Sequence, residues 1–223
     1  FAYENKKPTK VALLYDQSAP YSTGLAEEFK KAFKKLGGTI TVEQTYTEGD
    51  PDFNAQLGAI RATSPDIIFV PGYYTDVANI AIQARKLGMT MPLLGGDGWD
   101  STKLTEIGGT AVEGSFYSNH YSLEDPSPTV QNFIQKYKSA YGEVPDGLAA
   151  LGYDAANLLF DAMKRAKSLE GKDLAAGIAS TKDFKGVTGT ITIDKDRNAV
   201  KPAVMLEIKK GAPTYVTTIA PSK

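Results

Sequence analysis

The 223 residues include no cysteine and a single histidine, His120. These shortages exclude a disulfide framework, a thiolate or His-cluster metal site, a cysteine nucleophile and an iron-sulfur centre. A Ser-His-Asp triad would have to run through His120, in GSFYSNHYS, and no G-x-S-x-G elbow accompanies it. An excess of one charge is also absent. Lys plus Arg number 25 and Asp plus Glu 26, a net charge of −1, which leaves no basic footprint for nucleic acid or anionic lipid. No apolar run reaches the ~18 residues of a membrane helix. Nothing resembles a P-loop, and the first loop lacks G-x-G-x-x-G. The opening FAYENKKPTK has neither a Met nor an apolar signal core. The expectation is a removed targeting segment or a piece of a longer protein.

Hydrophobic residues at 42%, charged at 23% and aromatic at 10% describe a folded globular chain, with length for one large domain or two small ones. KVALLY (10–15) is a short apolar run ending at Asp16, and QSAPYSTG supplies a loop before a helical pattern. Leu25, Phe29, Ala32, Phe33 and Leu36 recur at spacings of three and four, predicting one buried helix face, and Gly37 stops it. TITVEQTY (39–46) is β-branched and alternating, so it reads as a strand. Asp50-Pro51 opens a helix carrying Phe53, Leu57 and Ile60.

IIFV (67–70) is continuously apolar, as in a parallel strand covered on both faces. A helix with Val77, Ile80, Ala81, Ala84 and Leu87 follows, then strands near 91–94 and 114–118 around a short helix at 101–107. This β/α alternation predicts an α/β fold with a doubly wound parallel sheet in the flavodoxin-like order 2-1-3-4-5. Ligands of such sheets bind beyond the carboxyl ends of the strands, where loops 16–24, 71–75 and 95–100 converge. From His120 the pattern turns helical. Stripes at Phe133/Ile134/Tyr137 and at Leu151/Leu158/Leu159/Met163 precede a β hairpin or meander from Gly186.

Tyr21 and Tyr73-Tyr74 sit at loop tips, where aromatic rings either contact a ligand or pack on their loops. Asp97, between glycines in GGDGWD, is either a carboxylate presented to a cation or an ordinary turn residue.

Taken in order, KVALLYDQSAPYSTGLAEEF, DIIFVPGYYTDVANIAIQARKLG, MPLLGGDGWDS, GTAVEGSFYSNHY, PSPTVQNFIQKYKSAYGEVPDGLAALGYDAANLL and GVTGTITIDKDRNAVKPAVMLEI resemble the type I periplasmic substrate-binding proteins of ABC importers. The resemblance is to the leucine/isoleucine/valine (branched-chain amino-acid) binding family and spans essentially the whole chain. It implies a noncatalytic protein, without cofactor or metal, that binds an amino acid between two lobes. Its implied partners are ABC permease subunits in the membrane, and its implied location is periplasmic or extracellular, either free or through a lipid anchor in the parent protein. Tyr21, Tyr73 and Asp97 match the family's ligand-binding positions, the acid pairing with the ligand ammonium, and Trp99 becomes a wall of the side-chain pocket.

The family's chain begins with about one third more sequence, forming most of the first lobe, and no segment here matches it. The resemblance therefore assigns 1–119 and 184–223 to the second lobe and 120–183 to a helical segment of the first. The helices then need the missing first-lobe segment, a second copy or the available sheet to cover their apolar stripes. A ligand-sensing domain of a receptor or regulator with the same fold is the alternative.

Overall fold

The structure, a computed structural model, describes residues 1–221. The described chain divides into two compact units, residues 1–118 with 206–214 and residues 119–205 with 215–221.

In the first unit, β1 (Lys10–Asp16), β2 (Thr39–Tyr46), β3 (Ile67–Phe69), β4 (Leu93–Gly95) and β5 (Phe116–Asn119) pair in parallel in the order β2-β1-β3-β4-β5. The predicted order 2-1-3-4-5 is therefore the observed one. Val11 to Leu14 and Ile67 to Phe69 are buried without alternation, because helices cover both faces of central strands.

Between the strands run α1 (Pro20–Lys35), α2 (Asn54–Ala62), α3 (Tyr74–Lys86) and α4 (Thr102–Gly108). Pro20, with its fixed φ and no N–H to leave unpaired, starts α1, and Gly37 at φ 90° follows its end. The buried face of α1 runs through Ser22, Ala26 and Phe33, with Phe29 stacked 4.1 Å from the Phe69 ring. Leu36, expected on that face, is 47% exposed because it caps the helix after the last turn. Replacing Phe33 by Ala would cost about 3–5 kcal/mol by leaving a core void.

Strands β9 (Ala203–Lys209) and β10 (Ala212–Ile219) extend the sheet beyond β5 in the order β10-β9-β5. Lys210 and Gly211 between them both have positive φ, the geometry of a type I′ hairpin turn. The Glu113 carboxylate accepts both of their backbone N–H groups.

The second unit contains α5 (Pro128–Tyr141), α6 (Gly147–Arg165) and α7 (Gly171–Ala179), with an antiparallel sheet of β6 (Phe184–Gly186), β7 (Gly189–Ile193) and β8 (Ala199–Val200). Ser127 and Asp146 cap α5 and α6 by accepting N–H groups of Val130 and Ala149. The buried Asp154 carboxylate accepts the N–H groups of Val187 and Thr188 and the Thr188 hydroxyl, each at 2.7 Å, tying α6 to the strand segment.

The α5 stripe, expected to lack cover, is partly covered within this unit. Phe133 joins Tyr121, Val130, Ala150 and Val187 in one cluster, with Ile134 and Tyr137 against it. The opposite face of α6 remains open: Leu148, Gly152, Ala155, Ala156 and Leu159 are all exposed, and Phe160 beside them is 55% exposed.

Candidate functional site

Three loops at the carboxyl ends of β1, β3 and β4 meet in the first unit. Pro20 places Tyr21 in the first turn of α1, and Tyr73 is the extended residue that precedes α3. After β4, Asp97, Gly98 and Trp99 form a single 3-10 turn.

The Tyr21 hydroxyl donates to Asp97 Oδ1 at 2.8 Å and accepts the Gly98 N–H at 2.8 Å. The rings of Tyr21 and Tyr73 stack, with centroids 5.1 Å apart and planes 22° from parallel. Tyr73 is 42% exposed, and Tyr21 and Asp97 are half-buried. Burial, followed by the Asp97 charge, pushes the titration of the Tyr21 phenol well up, so it remains a protonated donor.

Close approach requires the glycines beside Asp97. A Cβ at Gly98 would lie 2.8 Å from the Gly72 carbonyl oxygen and 3.1 Å from both the Tyr21 hydroxyl and the Tyr73 ring. A Cβ at Gly96 would lie 2.8 Å from the Tyr21 hydroxyl. The glycine-rich turn thus admits the Tyr21 ring.

Trp99 occupies a different place from its neighbours. It is fully buried, its indole N–H donates to the Val70 carbonyl at 3.0 Å, and its ring lies where a Gly95 side chain would be. The structure puts it beneath the Asp97 turn, with no face on the solvent side. The four expected site residues therefore split into three at the loop surface, Tyr21, Tyr73 and Asp97, and one packed below them.

The residues read from the sequence omit two neighbours. Ser22, wholly buried, accepts the Asp16 N–H at 3.0 Å and donates to the Pro71 carbonyl. Tyr46, at the end of β2, directs its hydroxyl at the position a Gly72 side chain would take and has no hydrogen-bond partner. A serine in a helical first turn carries no sequence signal beyond helix initiation, and Tyr46 reads as an ordinary strand residue.

The surroundings are acidic. Burial raises the titration of Asp76, in the first turn of α3, and the charges of Glu48, Asp16 and Asp50 add to it, while the Gly49 N–H bonded to its Oδ1 opposes them. A carboxylate beside stacked aromatic rings can pair with a cationic group and cover the adjoining apolar atoms. Among the described residues no group of three His, Cys, Asp or Glu side chains is disposed to hold a metal ion.

Similarity to known proteins covers the same span as this geometry. A leucine-binding protein LivK of Thermotoga maritima superposes with a TM-score of 0.93 at 40% identity, over 99% of this chain and 63% of its own. The branched-chain amino acid transporter substrate-binding protein LivJ of Streptococcus pneumoniae, solved in complex with isoleucine, gives 0.86 at 32% identity, over 99% and 62%. A Leu/Ile/Val-binding protein homolog 2 of Brucella abortus is 30% identical over 93% of this chain and 56% of its own. The chain therefore spans 56–63% of the length of these relatives, which are named for binding or transport rather than for catalysis. Because residues 1–213 match the periplasmic binding protein family model and the sheet order fits a lobe of that fold, the chain belongs to that family.

Proposed function

We propose that this chain carries the ammonium-reading half of an amino-acid cleft in a solute-binding protein that serves an ABC importer. The observation that carries the reading is the hydrogen-bonded trio of Tyr21, Asp97 and the Gly98 N–H, with Tyr73 stacked beside it at the strand ends. Asp97 pairs with the α-ammonium, and the Tyr21 and Tyr73 rings exclude water from that pair. Trp99 supports the turn from below. The ligand class is an aliphatic amino acid, a reading supported by the isoleucine held by the S. pneumoniae relative.

In this reading, residues 1–119 and 184–223 serve the second lobe. Residues 120–183 serve the first lobe, whose remaining sequence covers the open face of α6 at Leu148, Leu159 and Phe160 and grips the ligand carboxylate. Closure of the lobes on the ligand is a hinge motion that permease subunits of the membrane recognise outside the cytoplasm.

Calorimetric titration of leucine and isoleucine, with light scattering on the same sample, tests the half-cleft. Weak or absent binding by this chain, and tight binding once the rest of the first lobe is supplied, is the expected pair of results. Tight binding by this chain as a monomer would overturn the reading.

A further inference from the structure

We infer that Ser22 is a positioning residue that sets the Tyr21 and Tyr73 rings against each other. The inference rests on the reading of those tyrosines as ligand contacts, and adds the element that holds them in register. Ser22 is wholly buried in the first turn of α1, directly after Tyr21. Its Oγ accepts the Asp16 N–H at 3.0 Å, at the last residue of β1, and donates its proton to the Pro71 carbonyl, two residues before Tyr73. One hydroxyl therefore bridges the end of β1 and the β3–α3 loop, and it sits on the same turn as one ring of the stack.

At its base the loop is held through Val70, whose carbonyl accepts the Gly72 N–H at 2.9 Å and the Trp99 indole N–H at 3.0 Å, while the contacts other elements make at Gly72 are steric. The Tyr46 hydroxyl approaches Gly72 without a hydrogen-bond partner, and the Gly72 carbonyl lies 2.8 Å from where a Gly98 side chain would begin. Contacts of this kind limit how far the loop can move inward. The directional bond from Ser22 to Pro71 ties the loop beyond Val70 to the turn that carries Tyr21, because hydrogen bonds weaken steeply with angle whereas apolar contacts do not. Without the Ser22 hydroxyl the loop can slide along the Tyr21 ring, and the Asp97 turn, bonded to the Tyr21 hydroxyl, follows.

The test uses the whole chain, with its twelve tyrosines carrying 13C-labelled rings. Tyr21→Phe and Tyr73→Phe identify the two resonances. Ser22→Ala should shift both, with far-UV circular dichroism unchanged, and speed exchange of the Asp16 amide at least tenfold. Ser22→Thr, which keeps the hydroxyl, should restore the ring positions. A folded Ser22→Ala protein with unmoved rings would overturn the inference, as would a freely exchanging Asp16 amide in the unaltered chain. Should Ser22→Ala fail to fold, a protected Asp16 amide together with native ring positions in Ser22→Thr supports the inference, and shifted rings in Ser22→Thr count against it. These readouts need no ligand, so a failure of the amino-acid reading leaves them interpretable.

Discussion

The Tyr21 hydroxyl and Asp97 Oδ1 lie 2.8 Å apart although 76 residues separate them in the chain. That bond joins the loop after β1 to the turn after β4 and defines the site's polar centre. Tyr21→Phe keeps the stack on Tyr73 but removes the hydroxyl that donates to Asp97 and accepts the Gly98 N–H. Urea unfolding should register a loss of about 1–3 kcal/mol, the cost of losing the bond to Asp97 and leaving the part-buried Gly98 N–H unpaired. An unchanged midpoint would mean that water replaces the hydroxyl at no cost.

On the proposed reading, Asp97→Asn in a protein that carries both lobes removes the charge that pairs with the ligand ammonium while keeping the side-chain shape. Charge-assisted hydrogen bonds of this kind contribute about 1.5–3 kcal/mol, so amino-acid affinity should fall by roughly 10- to 150-fold in calorimetry. Equal affinity would take Asp97 out of the site.

Two glycine substitutions should act in opposite directions. Gly98→Ala drives a Cβ against the Gly72 carbonyl, the Tyr21 hydroxyl and the Tyr73 ring, and should destabilise the chain by about 1–3 kcal/mol. Gly24→Ala lies within α1, with nothing within 4 Å of the added Cβ. It should stabilise by about 0.5–1 kcal/mol, the helix-propensity difference. Thermal melts of the two variants check the pair of signs.

Asp76 supplies a pH dependence with a definite sign. Its carboxyl titrates above the ordinary aspartate value of 3.8 in the folded chain, chiefly because of burial. The folded state therefore holds the proton more tightly than the unfolded state does. Asp76's contribution is fully present below pH 3.8 and is lost as pH rises through the folded value. Asp76→Asn keeps an acceptor for the Gly49 N–H without the charge, and should gain stability relative to the unaltered chain as pH rises from 4 to 7. A constant difference across that range would contradict the assignment.

Much of the first unit was legible because parallel strands and their helices write distinct patterns. The continuous IIF of β3 and the spaced Val77, Ile80 and Ala84 of α3 identify buried elements on their own. Tyr21, Tyr73 and Asp97 were legible as loop residues, and their convergence follows from the strand order.

What the sequence concealed depends on partners distant in the chain. Trp99 reads as a pocket wall, but its indole N–H finds the Val70 carbonyl and the ring turns inward. Ser22 gives no sign that it bonds to Pro71. The final strands read as one hairpin or meander, yet β6, β7 and β8 form a sheet apart from β9 and β10, because Asp154 anchors Val187 and Thr188 to α6. The stripe of α5 looks unpartnered until the short link to α6 brings Ala149, Ala150 and Phe133 together.

The most direct measurement is a titration of this chain, with 13C-labelled tyrosine rings, by leucine, by 3-methylbutylamine, which lacks the carboxylate, and by 4-methylpentanoate, which lacks the amine. If the chain reads the ammonium, leucine and the amine shift the Tyr21 and Tyr73 resonances with similar weak affinities, and the carboxylate alone shifts neither. Equal shifts from 4-methylpentanoate, or tight leucine binding by a monomer that the amine cannot match, would contradict a half-cleft built on Asp97.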